Sequence, residues 1–202
     1  MDTVILDKKF SEWTNGMDHK EAKISIFNHI RDIPYAIVPE FRNPEVGTSG
    51  VLDLNKGSCL PKHFLLAVFF DKLNIPVKYV SYPFKWQEQP LKFPENFKEI
   101  LEGLPVSYHL ACKAFIEYKW VSVDATYDPA LKTAGFPITE EWNGFEDTKN
   151  AVMPIEEIIH ESLEERLSYE LAQKSRYSEK EKLLSGEFVE KLNSWLLNIR
   201  KI

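Results

Sequence analysis

The most apolar stretch of the chain runs from Leu60 to Leu73, with Leu60, Phe64 and Val68 on one i,i+4 row and Leu65, Phe69 and Leu73 on another. Apolar positions on nearly every side predict a helix buried at the centre of the fold. Its start is marked in the residues before it. Gly57 permits a tight turn, Ser58 is of the type that caps free N–H groups, and Pro61 falls in the first turn, where its missing donor is harmless. Upstream, DHKEAKISIFNHIRD places Ile24, Phe27 and Ile30 near one helical face until Pro34 ends the pattern. Between these two helices, YAIVPEFRNPEVGTSGVLDLNKG carries prolines, glycines and small polar residues, and it predicts a long irregular approach to Cys59.

After Asn74 the pattern changes period. IPVKYVSYPF has the composition of a strand, Lys85 to Leu104 is polar and punctuated by prolines, and YHLACKAFIEYKWVSVDATYD predicts two strands joined by a tight turn near Glu117 to Lys119. Alternation along a strand turns His109 and Ala111 one way and Cys112 the other. On the returning strand Trp120, Ser122 and Asp124 share a face, so closing the hairpin brings Asp124 opposite His109 within a residue or two of register. From Asp128 to Met153 the chain reads as loop, with the acidic EEWNGFED as a solvated segment or, alternatively, part of a site mouth. From Pro154 onward it reads as helical, with Ile159, Leu163 and Leu167 on one apolar stripe and Phe188, Leu192 and Trp195 on another, both expected to pack on the core.

Composition narrows the classes of function. An apolar share of 44% with 13% aromatics is that of a packed globular domain, and the length predicts a single domain over 1–202, with a catalytic core at about 24–128 and a helical C-terminal extension at 154–202. The net charge of −6 is made of both signs, without the basic stripe that nucleic acid requires. The longest uninterrupted apolar run, Phe64 to Phe70, is too short for a bilayer, so no membrane partner is expected and the location is read as cytoplasmic. Cys59 and Cys112 form no disulfide framework and no Cys-x-x-Cys spacing. His19, His29 and His160 are scattered on segments read as helical, without metal-ligand spacing, and are taken as solvated surface. No Asp-x-Asp-x-Asp-Gly loop is present for calcium. No metal and no cofactor are expected, and the residues leave the oligomeric state open.

The chemistry concentrates where the patterns meet. A cysteine at a helix N-terminus faces the positive end of the helix dipole, which favours its thiolate. His109 is placed to act as its base if the hairpin packs against the start of the helix, and Asp124 to hold the imidazole in the useful tautomer. His63, four residues after Cys59, lies on the same helical face but lacks such a carboxylate, and it is read as a wall residue. The N–H of Cys59 is the first oxyanion donor. The second is not legible: Tyr35, upstream in IPYAIVP, is one candidate because its ring could reach the site, but a packed tyrosine is the preferred reading.

Three pieces, GSC opening the apolar helix, LNIPVKYV after it, and YHLACKAFIEYKWVSVDATYD, resemble the transglutaminase-like superfamily of papain-like thiol enzymes. The order Cys, His, Asp, with a Trp four positions before the Asp, carries the likeness. It implies an α+β fold with a central helix packed on an antiparallel sheet and flanking N- and C-terminal helices. It also implies Cys59 as nucleophile, His109 as general base and Asp124 as its orienter. Leu60, Leu110 and Ala111 stand where cross-linking members carry tryptophan or an Ala-Trp pair, which argues against protein cross-linking. The implied activity is acyl transfer from a peptide or other amide through a Cys59 thioester, with hydrolysis preferred to amine transfer. A non-catalytic scaffold that keeps the fold is one alternative. An arylamine N-acetyltransferase is another, disfavoured because Lys56, Gly57 and Ser58 stand where Arg-Gly-Gly is usual.

Overall fold

Helix α4 (Cys59–Lys72) is the axis of the molecule in the computed structural model, which describes residues 3–201. Met1, Asp2 and Ile202 of the expected 1–202 domain lie outside the described residues. Phe64, Leu65, Leu66, Phe69 and Phe70 are all buried, as the two apolar rows predict. Ser58 occupies the N-cap position, but its side chain makes no capping bond, contrary to expectation. Helices α1 (Thr3–Thr14) and α2 (His19–Asp32) cover α4 on one side. The second of these starts from a capping box in which Asp18 accepts from Glu21 N and the Glu21 side chain accepts from Asp18 N.

On its other side α4 meets a four-stranded antiparallel sheet, order β3-β2-β1-β4. The strands are β1 (Val77–Phe84), β2 (Ser107–Ile116), β3 (Lys119–Val123) and β4 (Ile158–His160). Cys112, Ala114, Val121 and Val123 pack with Leu65, Leu66, Phe69 and Phe70, which makes the first core. Alternate residues Val80, Tyr82, Phe84 and Ala111 turn into a second core, closed by Phe97, just ahead of the short helix α5 (Lys98–Glu102), and by Phe188, Leu192 and Leu196. The hairpin turn falls on Glu117 and Tyr118, both with positive φ of 48° and 65°. That is the twist a two-residue hairpin requires, here without asparagine or glycine. The α+β class and the central helix on an antiparallel sheet are as expected. Among the described residues no helix is long and apolar enough to cross a membrane.

Three expectations are corrected and a fourth is met in part. The approach to Cys59 is not irregular throughout, because Pro44–Asp53 forms helix α3, started by Asn43 accepting from Glu45 N and by Pro44 at its first position. Its glycines are packing positions, not breakers. A Cβ on Gly47 would lie 2.3 Å from the carbonyl oxygen of Phe41, and one on Gly50 would lie 2.5 Å from the Phe41 ring. The segment after Pro154 is not wholly helical, since Ile158–His160 pairs with Tyr79–Ser81 as an edge strand. Ile159 therefore leaves the stripe shared by Leu163 and Leu167, and helix α6 (Leu163–Lys174) begins only after its N-cap Ser162. His160 is buried, with Nε2 3.0 Å from Ser81 Oγ, and is not solvated. EEWNGFED is solvated, as preferred for it, at Glu140, Glu141, Asn143, Glu146 and Asp147, but its Trp142 is buried against Phe27 and Phe70 and donates to Glu146 O at 2.7 Å.

Candidate active site

Cys59 is placed by what precedes it. Gly57 forms a parallel bridge with Tyr35, in which Ala36 N donates to Gly57 O at 3.2 Å and Gly57 N to Pro34 O at 3.1 Å. Gly57 has no room for a side chain, because a Cβ would lie 2.7 Å from Val51. The chain then enters α4, and Cys59 takes its first position with 8% of its surface exposed. The other thiol, Cys112, is fully covered in the first core, where burial pushes it far above the ordinary range, and its Sγ lies 3.8 Å from His63 O.

The hairpin brings His109 and Asp124 together. Observed pairing sets Cys112 opposite Val123, so Asp124 follows the end of β3 two residues from direct register with His109. His109 Nε2 donates to Asp124 Oδ2 at 2.8 Å, both side chains being 3% exposed. Ala151 N donates to the same oxygen at 2.8 Å, and Thr126 N to Oδ1 at 3.2 Å. Asp124 N in turn donates to Thr148 Oγ1 at 2.8 Å. With Nε2 committed to Asp124, Nδ1 is the ring nitrogen left for the thiol.

Electrostatics follow from this contact. Burial alone would raise the Cys59 thiol, but the charge of His109, a hydrogen bond with its ring, the N–H of Leu110 and the guanidinium of Arg166 bring it below its ordinary value. Burial alone would lower His109, but the carboxylate of Asp124 and the sulfur of Cys59 raise it to about 10. Burial likewise opposes ionisation of Asp124, and the His109 cation outweighs it, holding the carboxyl well below the usual range. The pair is thus favoured as thiolate and imidazolium.

His63 takes the wall role expected of it. Its Nδ1 lies 2.8 Å from Cys59 O and its Nε2 accepts from Ala125 N at 3.2 Å, which fixes the neutral tautomer with the proton on Nδ1. Burial lowers it to about 4, so its 3.7 Å approach to Asp124 is not a charged pair.

Cys59 and His109 open into a cavity of about 570 Å³. Its walls are aromatic, including Tyr35, Phe84, Trp86, Tyr127 and Phe188, and its mouth is charged, including Arg42 and Lys174. Much of this wall escaped the sequence reading. Helices α6 and α7 (Glu179–Ile199) supply Glu170, Lys174, Phe188 and Val189, although they were expected only to pack on the core. Arg166, fully buried, pairs with Glu170 and reaches Tyr108 O at 3.4 Å. An arginine on a helix of mixed charge gives no sign of such burial. Lys62 is legible in retrospect, as a cation in the first turn of the most apolar run, ahead of its uninterrupted apolar part. Its Nζ donates to the carbonyls of Arg31, Ile33 and Thr126 at 2.9, 2.9 and 2.7 Å.

No protein-family model matches the chain, and no curated protein matches it. Among solved structures, 61% of the chain is similar to 37% of a chain described as a "Putative Cysteine Protease" from Cytophaga hutchinsonii, at 18% identity and a TM-score of 0.42. A second, described as a "TGase", matches 66% of this chain over 35% of its own, at 14% identity and a TM-score of 0.36. This chain therefore corresponds to little more than a third of either structure's length.

Proposed function

We propose that this protein is a thiol-dependent acyl-transfer enzyme with Cys59 as nucleophile, His109 as acid and base, and Asp124 as the residue that orients His109. The observation that carries the reading is one juxtaposition. A thiol at the start of a buried helix meets an imidazole gripped by a buried carboxylate, and both open into the same cavity. The likeness of the GSC and histidine-hairpin segments to transglutaminase-like thiol enzymes supports it further.

The chemistry follows from the charges. The Cys59 thiolate attacks the carbonyl carbon of a peptide or other amide, forming the S–C bond while the carbonyl electron pair moves to oxygen. The N–H of Cys59, at the open end of α4, stabilises that oxyanion. His109 then gives its Nδ1 proton to the leaving amine as the C–N bond breaks, which leaves a thioester. Water then attacks the thioester carbon, giving a proton to His109 as the O–C bond forms, and the S–C bond breaks to return the Cys59 thiolate and release the acid. Throughout, Asp124 keeps the Nε2 proton in place and stabilises the imidazolium. Hydrolysis is the preferred outcome because Leu60, Leu110 and Ala111 depart from the cross-linking pattern and water needs no dedicated site.

Incubation of wild type and Cys59→Ala with an amide library and primary amines, read by intact-protein mass, is the test. Wild type is expected to form a covalent acyl adduct that Cys59→Ala does not, with free acid as the main released product. Identical behaviour of the two proteins would end the proposal, and accumulation of amine conjugates would convert the hydrolase into a transferase.

A further inference from the structure

Tyr35 is held more firmly than a packed aromatic needs. Its backbone bridges Gly57, two residues before the nucleophile, and both of its peptide groups are gripped by one ion pair. Its N–H donates to Asp128 Oδ2 at 2.8 Å, and its carbonyl accepts from Arg200 Nη2 at 3.0 Å. Arg200 closes the ring, with Nη2 at 2.5 Å from Asp128 Oδ2 and Nε at 3.2 Å from Oδ1. Asp128 is buried, four residues after Asp124, and Arg200 stands at the C-cap of α7. A bidentate guanidinium and carboxylate pair is the geometry that fixes orientation as well as charge.

The side chain that this clamp presents is a phenol in the cavity wall beside Cys59. Its ring meets Tyr127 edge-on, centroids 4.9 Å apart, and its hydroxyl has no hydrogen-bond partner among the described residues. Nor is that hydroxyl sealed from solvent, unlike the unpaired atoms of Asn28, Thr126 and Arg166, so it opens to the cavity. Burial keeps the phenol protonated and therefore a donor.

We propose that Tyr35 donates the second hydrogen bond to the oxyanion formed at Cys59, and that the Asp128–Arg200 pair positions it for that task. The inference rests on the acyl-transfer reading of Cys59. In the step concerned, sulfur bonds to the carbonyl carbon and the carbonyl electron pair becomes the oxyanion. That oxygen takes hydrogen bonds from Cys59 N–H and Tyr35 O–H, and no proton changes owner. On collapse the pair re-forms the carbonyl and the leaving group departs with its own bonding electrons.

Two probes of Cys59 separate this role from a structural one. p-Nitrophenyl acetate acylates through an oxyanion and releases nitrophenolate, whereas iodoacetamide alkylates by displacement without one. In Tyr35→Phe the acylation burst is expected to slow by about 100- to 1,000-fold, the scale of a lost oxyanion donor, with alkylation within about twofold of wild type. Arg200→Met is expected to slow acylation in the same sense and Arg200→Lys to recover part of it. Unchanged acylation in Tyr35→Phe, or a parallel fall in both rates, would overturn the assignment. Failure of wild type itself to acylate while still being alkylated would remove the acyl-transfer reading and this inference with it, a result visible before any variant is made.

Discussion

His109 stands between a carboxylate and a thiol, and the state of each depends on the other two. With Asp124 replaced by Asn the imidazolium loses the main group that stabilises its charge, and the thiol returns toward its ordinary value. Wild-type Cys59 is therefore expected to react with iodoacetamide at a rate nearly flat through neutral pH. The rate should fall on an acid limb that lies below the usual thiol range. In Asp124→Asn the rate at pH 7 should drop by roughly tenfold or more and rise with pH like that of a simple thiol, which is a few per cent ionised there. Superimposable pH profiles for the two proteins would show that the carboxylate does not set the charge of the pair. The grouping of these three side chains was legible because its parts are local: a glycine and a cap-type residue before a helix, and a hairpin whose period puts His109 and Asp124 on one face. The distinction between His63 and His109 was also legible, since only the hairpin histidine has a carboxylate across from it. What could not be read was the grip on Tyr35, which the sequence offers as a donor but favours as packing, because that grip comes from Asp128 and Arg200, 93 and 165 residues away in sequence.

Helix α4 is bound to the rest of the site at two successive residues, Lys62 and His63, and each supports a prediction. The Lys62 ammonium ties the end of α2 and the strand exit at Thr126 to α4, at the cost of burial that lowers it to about 7. Lys62→Met would leave three buried carbonyls without their shared donor, and about 3 kcal/mol of stability is expected to be lost, measured by urea unfolding. His63 makes the linkage with pH explicit. Its folded value of about 4 lies below the ordinary 6.5, so the unfolded chain takes up this proton first as pH falls. Stability from this residue is complete above pH 6.5 and is lost progressively down to about pH 4, by about 3 kcal/mol in all. Unfolding curves at pH 6.5, 5.5 and 4.5 should converge on those of His63→Gln as acid is added. A constant gap between the two proteins would show that His63 does not titrate with folding. At this scale α4, β1 and the hairpin were legible because hydrophobic period and turn chemistry agree there. Helix α3 was not, because Gly47 and Gly50, which read as breakers, serve the close approach of Phe41. Strand β4 was not, because three residues show no period and Ile158–His160 is a strand only by pairing with β1.

The whole molecule is two cores back to back on one sheet, and the cleft lies where the second core meets the start of α4. Helix α7 belongs to both aspects. Its buried Phe188, Leu192 and Leu196 close the second core, Ser185 and Val189 line the cavity, and Arg200 at its end grips Tyr35. If the chain is one domain over 1–202, as its length predicts, damage to α7 must be felt by the first core through the shared sheet. Leu192→Ala tests this, because Leu192 is fully covered yet does not line the cavity. The truncation leaves a void that neighbouring rings cannot fill, and it should cost about 2–5 kcal/mol. In a single cooperative unit that cost appears as one urea transition moved to lower denaturant with its slope unchanged, reported alike by tryptophan fluorescence and by circular dichroism. Trp13 and Trp142 lie in the first core and Trp86 in the second, so the fluorescence samples both. Alkylation of Cys59 in folded Leu192→Ala should keep the wild-type pH profile, since His109 and Asp124 are untouched. Two separated transitions, with the second core melting first while Cys59 keeps its reactivity, would instead divide the chain into a core that carries the thiol and a helical extension that merely leans on it.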